Sequence, residues 1–314
     1  MKLGCSSSSY HDALRDGRLD LLHWVRLCAQ ELDVDGVELV DLHLPGAGAL
    51  GLRELKKLTT DLGLTIASLA VTNDFSAQER QPTEIENVKR WCDVAAYLGA
   101  PVVRVFAGSM PRAATGDDPG RIVGLIRRVF GERVPDRRRA WSDVTWALRQ
   151  CADYAAERGV VVALQNSRAD GIVGAPQQLW RCLHDVGSPW LRVCLDPADM
   201  GDGAGIDLTL PQTVLARAHL REIRDDGSDA SAHWPEIVRM LRLAHYRGFL
   251  MMDYQGAESS ETAVPRATRY LRGLLHLIAR QEMLRSADVN GDARDTAVLE
   301  QASAIAAEAS AAAR

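Results

Sequence analysis

Four polar residues interrupt apolar runs in the second half of the chain. Gln165 ends VVVALQ, Asp196 ends LRVCLD, His219 stands inside the run Arg217–Ile223, and Asp253 ends FLMMD. Asp196, His219 and Asp253 form a set of two carboxylates and one imidazole, and the amide oxygen of Gln165 can add a fourth donor. Such donors suit Mn²⁺, Mg²⁺, Fe²⁺ or Zn²⁺ and leave coordination positions open for a substrate. An ion held there would polarise a carbonyl and stabilise the enolate that forms beside it. Each residue also has a plainer use. An aspartate at a strand end caps helices or forms turns, and a histidine in an apolar strand is often a satisfied core residue. Their joint occurrence at the ends of consecutive runs is what favours a shared site. Arg104 in VVRVFA and Arg221 after His219 are candidates to hold a substrate carboxylate or phosphate. Asn73, Tyr10 and Tyr254 are further candidates for substrate contacts, with Phe75, Phe106 and Met200 as additional walls.

These residues must be carried by a repeating scaffold. Strand-like runs are expected at Lys2–Ser7, Gly36–Asp41, Leu64–Val71, Val102–Ala107, Val160–Gln165, Leu191–Asp196, Arg217–Ile223 and Phe249–Asp253. Between them lie amphipathic patterns with a period near 3.6, at Arg18–Leu32, Leu52–Leu62, Glu84–Leu98, Arg138–Arg158, Pro176–Val186 and Trp234–Tyr246, with Glu261–Ile278 closing the series. Nearly continuous apolar strands suit a parallel sheet covered by helices. Eight such units predict an α/β fold, a (β/α)8 TIM barrel, over residues 1–283. An insertion after the fourth strand, about 109–137, holds an arginine-rich stretch and a short helical pattern at Ile122–Phe130. Residues 284–314 are expected as an additional C-terminal helical tail, alanine-rich over Thr296–Ala312. Gly46–Gly51 matches GxGxxG, but His43-Leu44-Pro45 separate it from the strand end that a dinucleotide site requires.

Lysine plus arginine total 37 and aspartate plus glutamate 42, a formal charge of −5, which gives no reason to expect a nucleic-acid partner. No apolar run approaches the roughly 18 residues that span a bilayer. The six cysteines are scattered, with no CxxC pair, as expected of a reducing cytoplasm. The partner expected is a small molecule, with neither nucleic acid nor membrane, and a homo-oligomer is compatible with the insertion and tail.

Several local motifs, in this order, resemble the xylose isomerase-like sugar phosphate isomerase/epimerase superfamily. They are LGCSSSSY, LAVTNDF, VVRVFAG, LDPAD, AHLRE and DYQG followed by VPRATRYLRGLL, and the likeness covers about residues 1–280. The resemblance implies a divalent metal held by a glutamate, an aspartate, a histidine and a second glutamate, the two glutamates also moving protons. The matching positions here are Gln165, Asp196, His219 and Asp253, with Asp199 at a further polar position of the site and Arg221 and Glu222 after the histidine. Two of the four therefore depart from the pattern. An amide cannot act as a general base, and shortening glutamate to Asp253 withdraws the carboxylate by about one bond, roughly 1.5 Å.

The function expected is thus a metal-assisted isomerase or dehydratase-like lyase. It would work next to a carbonyl of a small polyhydroxy or keto compound, with Asp253 as the single base and Gln165 orienting substrate. One alternative is a metal-independent barrel repurposed for a specialised cyclisation, rearrangement or elimination. Another is a non-catalytic binding or partner subunit.

Overall fold

The computed structural model describes residues 1–44, 49–109, 137–166, 171–199 and 203–290. Eight strands form a closed parallel barrel in sequence order. They are β1 Lys2–Ser6, β2 Gly36–Val40, β3 Thr65–Ala70, β4 Val102–Val105, β5 Val161–Gln165, β6 Leu191–Leu195, β7 Thr213–Leu220 and β8 Phe249–Tyr254. Pairing of Lys2–Cys5 with Phe249–Met252 closes the ring. The α-helices of the described residues are α1 His11–Arg15, α2 Leu21–Gln30, α3 Ala49–Asp61, α4 Gln81–Leu98, α5 Arg137–Ala156, α6 Pro176–Val186, α7 Gly203–Thr209, α8 Trp234–Leu243 and α9 Ser260–Asn290. The expected barrel is therefore what forms.

Strand periodicity sorts the side chains into two cores. Val103, Val105, Val162, Leu164, Val193, Leu195, Ala216, Ala218, Leu250 and Met252 point outward into one large cluster shared with the helices, where Trp24 and Trp234 are buried. The alternate positions Val102, Ala163, Cys194, Leu215 and Met251, with Ala67, form a separate small cluster inside the barrel. That cluster is an apolar floor. Gly4 is paired with Met251, and a Cβ there would meet the Met251 Cε at 2.6 Å, so the floor methionine requires a glycine beside it.

Two expected boundaries move by more than three residues. β7 begins at Thr213 instead of Arg217, because the turn Leu210–Gln212 ends early and Thr213–Ala216 already pair with β6. Arg217 is consequently a mid-strand residue. The last helix runs unbroken from Ser260 to Asn290, across the boundary drawn at residue 283. Residues 110–136 and 291–314, which hold most of the expected insertion and tail, lie outside the described residues, as do 46–48 of the glycine motif.

Candidate active site at the barrel mouth

Two residues beyond five of the six floor residues, the same inward face carries a polar side chain. Val102 is followed by Arg104, Ala163 by Gln165, Cys194 by Asp196, Leu215 by Arg217 and then His219, and Met251 by Asp253. A polar layer therefore sits directly on the apolar floor. Above it opens a cavity of about 480 Å³, lined by Arg104, Gln165, Arg217, His219 and Asp253 together with Ser8, Asn73, Asp74, Phe106, Asn166 and Gln255 among others.

Glu38 of β2 is the charge centre of this layer and is fully buried. Ser6 and Ser68, its register partners on β1 and β3, each donate a hydroxyl to one of its oxygens at 2.9 Å. Arg217 Nη1 donates to Oε1 at 2.6 Å, and Arg104 Nε reaches Oε2 at 3.4 Å. Burial alone would push the Glu38 carboxyl up, but the two guanidinium groups more than reverse this and hold it below the usual carboxylate range. Each arginine then extends to one expected metal ligand. Arg104 Nη1 donates to Gln165 Oε1 at 2.9 Å, and Arg217 Nη2 donates to Asp253 Oδ2. Ser8 Oγ donates to the other Asp253 oxygen, and Gln255 Nε2 adds a bond to Oδ2 at 3.1 Å. Asp253 is likewise held below its ordinary range, its burial being outweighed by Arg217, Ser8 and His219.

Asp196 and His219 are different. The Asp196 carboxylate is fully buried and neither oxygen has a hydrogen-bond partner, with His219 Nδ1 3.4 Å from Oδ2. Its backbone is clamped by Asn166, which accepts from Asp196 N at 2.7 Å and donates to Asp196 O at 2.9 Å. His219 lines the cavity, and its Nε2 is buried with no partner. The proximity of Asp196 raises the imidazole pKa above its usual 6.5, against the opposing effect of burial. Arg221 Nη2 lies 3.5 Å from the same Nδ1.

The four expected ligands do not form a metal-binding set as they stand. Asp196 and His219 retain unpartnered donor atoms, but Asp253 has both oxygens engaged and Gln165 has its oxygen on Arg104. Among the described residues, no group of three or more His, Cys, Asp or Glu side chains is placed to hold an ion.

Other expected contacts also move. Tyr10 is fully buried in the large core cluster, because the turn Ser7–Tyr10 carries it under the helices and away from the cavity. Phe75 is equally buried. Tyr254 ends β8 with its hydroxyl donating to Glu258 O at 3.0 Å, and it does not line the cavity. Asn73 does line it, but its amide is committed to the backbone of Phe106, at 2.9 Å in each direction. Phe106 is a wall as expected, with the Arg104 guanidinium 4.8 Å from its ring centroid. Arg221 is half-buried beside His219 and outside the cavity lining. Asp199 closes the turn Pro197–Asp199; its side chain, and Met200, lie outside the described residues. Glu38 and Arg217, the two residues that organise the layer, were not anticipated. Their signal was a charge at alternating phase in GVELV and VLARAHL.

Among solved structures, the chain is similar to 3-keto-D-glucoside 4-epimerase from E. coli, with a TM-score of 0.67 and 17% identity over 87% of this chain and 99% of that one. It is similar to a probable 3-DHS dehydratase from Bacillus anthracis, with a TM-score of 0.65 and 16% identity over 87% and 99%. A third similar structure is a xylose isomerase-like TIM barrel protein from Mycobacterium smegmatis in complex with magnesium, with a TM-score of 0.63 and 15% identity over 88% and 97%. No curated protein matches the sequence. The family model for the xylose isomerase-like TIM barrel matches residues 27–277, most of the chain and all strands but the first, and the protein belongs to that family.

Proposed function

We propose that this barrel is an isomerase- or lyase-type enzyme that moves a proton at the carbon beside a carbonyl of a small polyhydroxy compound, with His219 as its single base. The observation that carries this reading is His219 itself. Its Nε2 is buried without a partner on a side chain that lines the cavity, and Asp196 stands behind its Nδ1. A base oriented by a carboxylate and free at the opposite nitrogen is the arrangement that proton abstraction needs. Asp253, the base expected from sequence, has no free oxygen.

The neighbouring groups fit the same chemistry. A guanidinium can only donate, so the Gln165 oxygen faces Arg104 and its NH₂ is left for another acceptor. That NH₂ donates to the substrate carbonyl oxygen. The arginine layer below it lowers the energy of negative charge developing on that oxygen. His219 Nε2 takes the proton from the adjacent carbon. It returns the proton either to the former carbonyl carbon, while the hydroxyl proton of the enediolate passes to the other oxygen, which gives an isomer, or to a departing hydroxyl, which gives loss of water. One base suffices for either outcome. The epimerase and dehydratase among similar structures are compatible with this class, and an open cavity with an unpartnered base favours catalysis over a binding-only subunit.

The unpartnered Asp196 oxygens and His219 Nε2 favour one second reading, in which these two residues and substrate oxygens share a divalent ion. A single experiment separates the two. The protein is incubated in D₂O with a panel of ketohexoses and keto-cyclitols, with and without a chelator, and deuterium at the carbon beside the carbonyl is followed by NMR. Exchange that survives chelation and is lost in His219→Gln supports the proposal. Exchange that needs Mn²⁺ or Mg²⁺ supports the second reading, and exchange unchanged in His219→Gln, or none with any compound, rejects the proposal.

A further inference from the structure

From the chain of contacts across the barrel we infer that Arg217 is the resident cation of this site, a guanidinium that does the charge-balancing a divalent metal would do and keeps such metals out. The inference deepens the proposed function by assigning the positive charge of the site to a side chain. It rests on connectivity. Gln165, Arg104, Glu38, Arg217, Asp253 and Ser8 are linked in that order by hydrogen bonds or ion pairs, from β5 through β4, β2 and β7 to β8 and the turn after β1.

Arg217 is 2% exposed and shares its strand face with His219, two residues on. One of its nitrogens is on Glu38 and another is on Asp253, and with Arg104 also on Glu38 two guanidinium groups face two carboxylates. A metal ligated through Asp253 Oδ2 would have to displace that guanidinium, and one ligated through Oδ1 would have to displace Ser8 and share the carboxylate with it. In either case the guanidinium, 2% exposed, would lie beside the ion. Two positive species that close, in a poorly solvated site, repel strongly. The departures from the four-ligand pattern then have one physical cause. Gln165 in place of a carboxylate keeps Arg104 and Arg217 from being over-compensated, and the short Asp253 leaves room for a guanidinium that a metal site has no need to accommodate. Arg217 Nε, buried and without a partner, is the residual donor of this cation.

The test reads metal binding and needs no substrate, so its failure is distinct from failure of the proton-transfer reading. Purified, chelator-treated protein is titrated with Mn²⁺, and free Mn²⁺ is followed by its EPR signal. The wild type is expected to leave the signal undiminished into the millimolar range. Arg217→Met removes the cation and leaves Asp196, His219, Asp253 and Glu38 as oxygen and nitrogen donors. That variant is expected to sequester one equivalent at least about 100-fold more tightly.

Because Arg217→Met strands buried carboxylates, the double variant Glu38→Gln with Arg217→Met is made alongside it, removing one negative and one positive charge together. Added Mn²⁺ at 1 mM, roughly 100 times a micromolar-range Kd, is expected to raise the melting temperature of the metal-binding variants by on the order of 5 °C. It is expected to leave the wild type and Arg217→Lys unchanged. Stoichiometric micromolar Mn²⁺ binding by the wild type overturns the inference. So does a folded double variant that gains no affinity over the wild type.

Discussion

Replacing Glu38 with glutamine removes one formal charge from the centre of the barrel while keeping the side chain's size. Four donors converge on that carboxylate, from Ser6, Ser68, Arg217 and Arg104. A glutamine carbonyl can keep the 2.6 Å bond from Arg217 and the one from Ser6. Its NH₂ then faces Ser68 and Arg104. The Ser68 hydroxyl can rotate to accept, but a guanidinium cannot. Arg104 therefore loses its anionic partner, and Arg217 keeps a neutral acceptor where it had a charged one. Losing one partner of a buried ion pair costs about 3–5 kcal/mol, because the remaining charge stays desolvated. We expect Glu38→Gln to destabilise the protein by that amount in urea denaturation, with the midpoint shifted and the slope unchanged. The control is Lys57→Ala, which breaks a pair whose side chains are 76% and 54% exposed and which should cost no more than about 0.5 kcal/mol. A loss below about 1 kcal/mol in Glu38→Gln would show that the carboxylate does not hold the two arginines, and the linked network across the barrel would be wrong.

Further outcomes concern pH. Glu38 and Asp253 have carboxyl pKa values below their ordinary range in the folded chain, so they bind fewer protons than the unfolded chain as acid is added. Their contribution to stability is complete above about pH 4 to 5 and is lost as the pH falls below that, which an acid-denaturation profile will show. His43 acts at higher pH. It is buried against His11, whose Nδ1 lies 2.9 Å from its Nε2, and burial together with His11 lowers its pKa to about 4. Between pH 6.5 and 4 the unfolded chain holds the extra proton, so stability falls as pH falls through that window, by about 1–2 kcal/mol after allowance for solvent screening. His43→Gln should remove the slope between pH 6.5 and 5, where the carboxylates are still ionised; an unchanged slope would assign it elsewhere. For catalysis, His219 must be neutral to accept a proton, and its pKa is raised chiefly by Asp196. The kcat/KM of proton exchange should therefore rise with pH through an inflection above 6.5, and Asp196→Asn should move that inflection down; no movement would mean that Asp196 does not act on the imidazole.

The scaffold was legible because its two periodicities are written in residue type. Runs such as VVVALQ and FLMMD contain too few polar residues to be surface strands, and the segments between them repeat every 3.6 residues, so a parallel barrel follows. The start of β7 was misplaced because Thr213–Ala216 follow a proline-containing turn and read as connector until pairing with β6 is seen. The fates of Tyr10 and Tyr254 were hidden for a related reason. Both follow a strand end, but the direction of a side chain there depends on the turn geometry. A 3₁₀ turn sends Tyr10 into the helix-packed core, and the Tyr254 hydroxyl is bonded to the backbone of Glu258.

The site was half legible, and the missing half shares one property. Gln165, Asp196, His219 and Asp253 were found because each stands out at or near the C-terminal end of an apolar run, where barrel chemistry is placed. Glu38 and Arg217 stand inside strands, one turn of the pleat deeper, where a reading confined to strand ends does not look. Yet the same alternation that identifies the floor extends to them. Leu215 belongs to the interior floor, so Arg217 and His219 must share its face, and Met251 requires the same of Asp253. A charge in that phase is buried inside the barrel, and a buried charge needs an opposite one within reach. Arg217 therefore demands an inward carboxylate, and Glu38 in GVELV is the one that meets it together with Asp253. Once those pairs are drawn, both Asp253 oxygens are engaged. Of the four residues found from sequence, His219, backed by Asp196, is the cavity-lining one that keeps an unpartnered ring nitrogen, and the proposed reading makes it the base.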